Sequence, residues 1–142
     1  MKLESLNQLL FEQVPAIALW TGTGVILLVI LMWVDALFTK YNDMEEMKKG
    51  NIAVTTRFIM KLFAQGYILS SSITVAFSLG EALMMSVISF ILLLIIEAIV
   101  RIVLRSFAGL NLEQGTKDGL MSHALLAGSL HVVGAFIIAS CL

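Results

Sequence analysis

Cysteine is nearly missing from this sequence, and proline and charge are scarce. The lone Cys141 stands one residue from the C-terminus, which excludes an intrachain disulfide framework and any multi-cysteine metal site. In its apolar stretch it reads as an inert thiol. The single proline, Pro15, sits where the first long apolar segment begins. Charged residues make up 13% of the 142 and leave a formal net charge of −1. That balance excludes an overall basic nucleic-acid binder, and no Lys/Arg-rich run supports one locally. No HExxH, Ser/His/Asp constellation, phosphate loop or nucleotide fingerprint occurs. TGTG (Thr21 to Gly24) lies inside an apolar segment and suits close packing. With no nucleophile and base arranged together, no catalytic role is expected, and no cofactor or metal.

Apolar residues dominate instead. They make up 59% of the chain, and the mean hydropathy is +0.97. A soluble domain of this size needs far more polar surface to cover its core, so burial in lipid is the expectation. Four apolar segments emerge: Pro15 to Phe38, Ile52 to Ser78, Ala82 to Leu104, and Leu120 to the end. Each exceeds the ~20 residues that span a bilayer as helix. Helices pair every backbone group internally, as lipid requires, and the alternation of barrel strands is absent. The expected fold is an all-α membrane protein with four transmembrane helices in a single membrane domain. Residues 1–13, MKLESLNQLLFEQ, place their leucines near helical spacing and predict a short amphipathic helix on the membrane surface. A cleavable signal peptide fits them poorly, and no cleavage is expected.

Lys and Arg set the expected orientation. The loop KYNDMEEMKKGN carries Lys40, Lys48 and Lys49, and the third connection is flanked by Arg105 and Lys117. The turn SLGE and the C-terminus have no basic residue. The positive-inside rule then puts the two longer loops in the cytoplasm and both termini outside. Sliding the chain by 68 residues aligns Glu45 with Glu113, Gly66 with Gly134 and Ser72 with Ser140. This predicts two parallel two-helix repeats, over 15–74 and 82–142.

EMKKGNIA (Glu46 to Ala53), followed by GYILSSSI (Gly66 to Ile73), resembles the YjfL-like family of small bacterial inner-membrane proteins, whose function is unknown. The resemblance covers nearly the whole chain. It implies an inner-membrane location and two copies of a two-helix unit, each with a Glu…Gly-Asn-x-Ala signature where a loop leads into a helix. Glu46, Gly50, Asn51 and Ala53 match the first signature; in the second copy TKDGLM replaces the core and Glu113 remains. Read locally, Asn51 suits a helix N-cap and Gly50 the turn before it, and Asp118 with Gly119 can cap the fourth span in the same way.

The apolar spans carry charges. Glu97, Arg101 and Arg105 are spaced by four and share one helix face. Arg57, Lys61, Gln65 and Ser72 form a stripe on the second span, Asp35 ends the first, and the fourth holds His123 and His131. At ~1.5 Å of rise per residue, Asp35, His123, Arg57 and Arg101 lie about 7 Å inside the cytoplasmic boundary, Glu97 about 12 Å and Lys61 about 15 Å. These charges form one layer. A charge near the bilayer centre costs on the order of 3 kcal/mol, and a short glutamate cannot snorkel, so Glu97 is expected to pair with Lys61 or Arg57, with Arg101 as competitor. His123 and His131, about 12 Å apart along the axis, cannot share a metal. Small residues on the fourth span (Ala124, Ala127, Gly128, Gly134, Ala135) and on the second (Gly66, Ser70) mark packing faces, and homo-oligomerisation is expected. The lead functional reading is a non-enzymatic membrane scaffold or subunit in the lipid bilayer, its polar loops docking a membrane or cytoplasmic protein partner. The alternative is a small ion channel or transporter subunit with a path lined by Glu97, Lys61 and Arg57.

Overall fold

The computed structural model describes residues 2–142 and is helical throughout its long segments. In order it contains α1 (Lys2–Gln8), a π turn (Leu9–Gln13), α2 (Val14–Leu37), α3 (Asp43–Lys48), α4 (Ile52–Val75), α5 (Leu79–Ala108), α6 (Leu112–Lys117) and α7 (Met121–Ser140). Four stretches are long and apolar enough to cross a membrane: Leu3–Leu37, Ile52–Val75, Leu79–Ala108 and Met121–Ser140. The expected separate N-terminal helix, of which Met1 lies outside the described residues, is corrected in one respect. The residues before Pro15 run into α2 without a break, through the π turn. Pro15 explains that turn, because its ring excludes the ordinary helical bond to the carbonyl four residues back. The Val14 N–H reaches instead to the Leu9 carbonyl, five residues back.

Local chemistry sets the remaining boundaries. Ser78 caps α5 by accepting from the Glu81 N–H, and Glu81 accepts from the N–H of Phe77, the residue before the cap. Asn51 caps α4 by accepting from the Val54 N–H. The expected Asp118 cap on α7 does not form. Leu120 occupies that position without a side-chain bond, and Asp118 accepts from Gln114 Nε2 instead.

α4 is the hub of the bundle and packs against α2, α3, α5, α6 and α7. Its core cluster joins Ala64 and Ile68 to Leu93 of α5 and to Ala135 and Ile138 of α7. The small residues of α7 serve this packing within the chain and do not present an outward face. Ala124, Ala127, Gly128, Gly134 and Ala135 are all buried, a Cβ on Gly128 would collide with Met60, and one on Gly134 would approach Leu93. Gly66 has nothing within 4 Å of such a Cβ. Gly128→Ala should therefore cost about 1–3 kcal/mol, while Gly66→Ala stays close to wild type. Unfolding of both variants in mixed micelles checks this.

The two longer loops make the same backbone bonds at a constant offset. Asn42 and Asn111 cap α3 and α6. The Gly50 N–H reaches Met47 O and the Gly119 N–H reaches Thr116 O, while Asn51 N–H and Leu120 N–H reach Glu46 O and Gly115 O. Gly50 and Gly119 adopt φ of +82° and +85°, a left-handed conformation that favours glycine. Each pair lies 69 residues apart, one more than the offset of 68 expected from side-chain matches.

Candidate functional site

The end of the bundle that carries α3 and α6 holds a buried charged layer. On α4, Arg57 and Lys61 lie one turn apart and both point inward. Lys61 Nζ donates to Asp35 Oδ2 of α2 at 2.5 Å. Arg57 reaches two ways: Nη1 donates to the Tyr41 hydroxyl at 2.9 Å and Nη2 to Glu97 Oε1 of α5 at 3.0 Å. The second oxygen of Glu97 meets His131 Nδ1 of α7 at 2.9 Å. Glu113 of α6 accepts from the Lys40 backbone N–H at 2.7 Å, tying the second loop to the end of α2. Together these contacts touch every long helix.

Side chains expected at a shared depth meet only in part, because rotation about each helix axis decides which groups come into contact. Arg57 and Glu97 come together. Lys61 does not pair with Glu97; it faces α2 and pairs with Asp35. Arg101 lies 4.0 Å from Glu97 and 3.8 Å from Glu113 and is partly exposed, so these contacts are worth little. His123 stays outside the layer. It lies in the first turn of α7, packs its ring against Gly115 of α6 and approaches the Ser122 hydroxyl. Four members did not figure in the expected layer: Tyr41, Asp43, Glu113 and His131. The first three arrive on loop segments, beyond the reach of helical depth arithmetic. His131 was legible, because ten residues into α7 is about 15 Å, the level of Lys61.

The layer has more acid than fixed base. Asp35, Asp43, Glu97 and Glu113 face three permanent cations, Arg57, Lys61 and Arg101. His131 is the remaining titratable group in contact. Burial pushes the Asp43 carboxyl up from its ordinary range, against the attraction of Lys61 and Arg57. Burial also raises the Tyr41 phenol, with Arg57 opposing, so Tyr41 is a neutral hydroxyl. Among the described residues four buried polar atoms have no protein partner: Arg57 Nε, both side-chain polar atoms of Gln65, and His131 Nε2. The space between Arg57, Glu97, Arg101 and Ala127 measures only about 20 Å³, room for about one water. Among the described residues no three His, Cys, Asp or Glu side chains are grouped to hold a metal ion.

The loop signature has a visible job in holding the loops. Asn51 donates through Nδ2 to Glu46 Oε2 at 3.2 Å and to the Lys117 carbonyl of the other loop at 2.8 Å. The bond from Asn51, followed by that from Lys49, holds the Glu46 carboxyl below its usual range. Ala53 is buried beneath the turn. Asn51→Ala should remove about 0.5–2 kcal/mol from the cap alone. Asn51→Asp, which keeps the cap but loses both donated bonds and faces Glu46, should also destabilise, and thermal unfolding in detergent checks both.

No curated protein and no solved structure matches the chain. The family described as a Domain of Unknown Function, DUF350, matches residues 8–142, which take in all four long helices and every residue of the charged layer, and the chain belongs to that family.

Proposed function

We propose that this chain is a non-enzymatic subunit of the bacterial inner membrane, built from two parallel two-helix repeats, whose charged layer locks the helices for assembly with itself or with a partner. The carrying observation is that the ion pairs of the layer are made within one chain and leave little space between them: the gap beside Glu97 is about 20 Å³. The constant offset of the loop bonds supports the repeats. Contacts that advance in step along α4 and α7, from Asn51 with Lys117 to Met60 with Gly128, support their parallel course.

Purified protein reconstituted into liposomes tests this reading. No proton or potassium flux above empty vesicles, with an oligomer or a co-purifying partner in mild detergent, is expected. Flux that disappears in Glu97→Gln would overturn it in favour of a small channel or transporter. One observation favours that second reading: Gln65 and His131 carry unpartnered polar atoms next to the layer in sequence order along α4 and α7, and such atoms bind water readily. The proposed orientation, with both termini periplasmic, has a direct check. Cys141 is the single, exposed thiol, so a membrane-impermeant maleimide should label it in intact spheroplasts.

A further inference from the structure

A cleft of about 820 Å³ opens between α2, α3 and α4. Its wall is apolar, formed by residues such as Val25, Val29, Met32 and Leu62, and it follows α2 as far as Leu37, about 18 Å of helix at ~1.5 Å per residue. Its head is polar. Tyr41, Asn42 and Asp43 line it there, where α2 gives way to the loop. Asp43 is 8% exposed, and its carboxylate accepts no hydrogen bond among the described residues. Its oxygens are not among the enclosed polar atoms, so they are open to an incoming donor. Lys40, exposed and next in sequence to the lining residues Thr39 and Tyr41, puts a cation in the same loop.

The fold does not require this space. At the 69-residue offset of the loops, Leu28, Met32, Asp43 and Phe58 of the cleft correspond to Glu97, Arg101, Leu112 and Ala127. Those four line the gap of about 20 Å³ in the other half. There the charged side chains fill the volume and an apolar leucine takes the place of Asp43. The first half keeps the wall apolar, the volume open and the acid at the head.

We propose that this cleft binds one membrane phospholipid whose headgroup carries a primary ammonium, with an acyl chain along α2 and the ammonium on Asp43. The match is one of charge and place. A primary ammonium offers donors to a carboxylate that has none and supplies positive charge to a layer holding four acids against three fixed cations. The phosphodiester of the same headgroup then lies toward the loop that carries Lys40. A trimethylated headgroup has no N–H to donate, and an amine-free headgroup such as phosphatidylglycerol brings no cation.

Trp33 lines the cleft and reports on its occupant. In a Trp20→Phe background, the protein is placed in phosphatidylcholine vesicles containing a minor fraction of either brominated phosphatidylethanolamine or brominated phosphatidylcholine, and Trp33 quenching is read. The ethanolamine lipid should be preferred at least five-fold. The preference should fall stepwise with N-monomethyl and N,N-dimethyl headgroups and vanish in Asp43→Asn. Equal quenching by the two lipids, a preference untouched by N-methylation, or stronger quenching by brominated phosphatidylglycerol each overturns the proposal, as does an undiminished preference in a folded Asp43→Asn protein. The methylation series uses the native Asp43, so it decides the matter even if that variant does not fold.

Discussion

Glu97→Ala should destabilise the folded protein by about 3–5 kcal/mol, the range for breaking a buried ion pair from one side. Glu97 is the only described group that bonds both Arg57 of α4 and His131 of α7. Its removal leaves the buried guanidinium with the Tyr41 hydroxyl as its remaining bonded partner and deprives His131 of its only ring contact to an acid. Two comparisons isolate the cause. Arg101→Ala should cost no more than about 1 kcal/mol, because a long, partly exposed pair is mostly solvated. Glu97→Leu combined with Arg57→Leu should recover much of the single-variant loss, since a hydrophobic pair substitutes for a buried ionic one at little cost. Unfolding by sodium dodecyl sulfate titration in mixed micelles reads all three. Equal losses for Glu97→Ala and Arg101→Ala would contradict the arrangement.

The spans were legible because lipid leaves little choice. An apolar run of sufficient length becomes a helix wherever it stands, and α2, α4, α5 and α7 lie within a few residues of the expected segments. Depth arithmetic served less well: Lys61, expected about 15 Å deep, meets Asp35, expected at about 7 Å. Partner identity was not legible. It depends on how each helix is rotated and on where the loops return, and a wheel drawn on one helix contains neither. That is why Lys61 was matched to Glu97 by level and yet faces Asp35. Tyr41, Asp43 and Glu113 enter through the segments around α3 and α6, which read only as polar connections. The loop offset was legible to within one residue, with Gly50 and Gly119 as the better anchors, because a positive φ constrains residue type more tightly than an exposed glutamate does.

Positions related by the loop offset carry different side chains on either side of it, charged in one half and apolar in the other: Glu97 and Arg101 correspond to Leu28 and Met32. The Arg57–Glu97 pair joins the two halves, while Lys61–Asp35 lies within the first.

Lys61→Met supplies the second large effect. It leaves Asp35, 3% exposed, without the ammonium that donates to it, and a loss of about 3–5 kcal/mol is expected for the same reason as at Glu97. The double variant Asp35→Leu with Lys61→Met should return to within about 1–2 kcal/mol of wild type, because neither charge then remains to be desolvated. The cycle formed by these variants should thus show strong coupling. The cycle between Lys61→Met and Glu97→Ala should show much weaker coupling, because those groups share no bond and act on different partners, Asp35 on α2 and Arg57 with His131. Coupling of similar size in the two cycles would mean that Lys61 serves both acids at once. The layer would then act as one delocalised cluster, and the division into an α2–α4 lock and an α4–α5–α7 lock would fail.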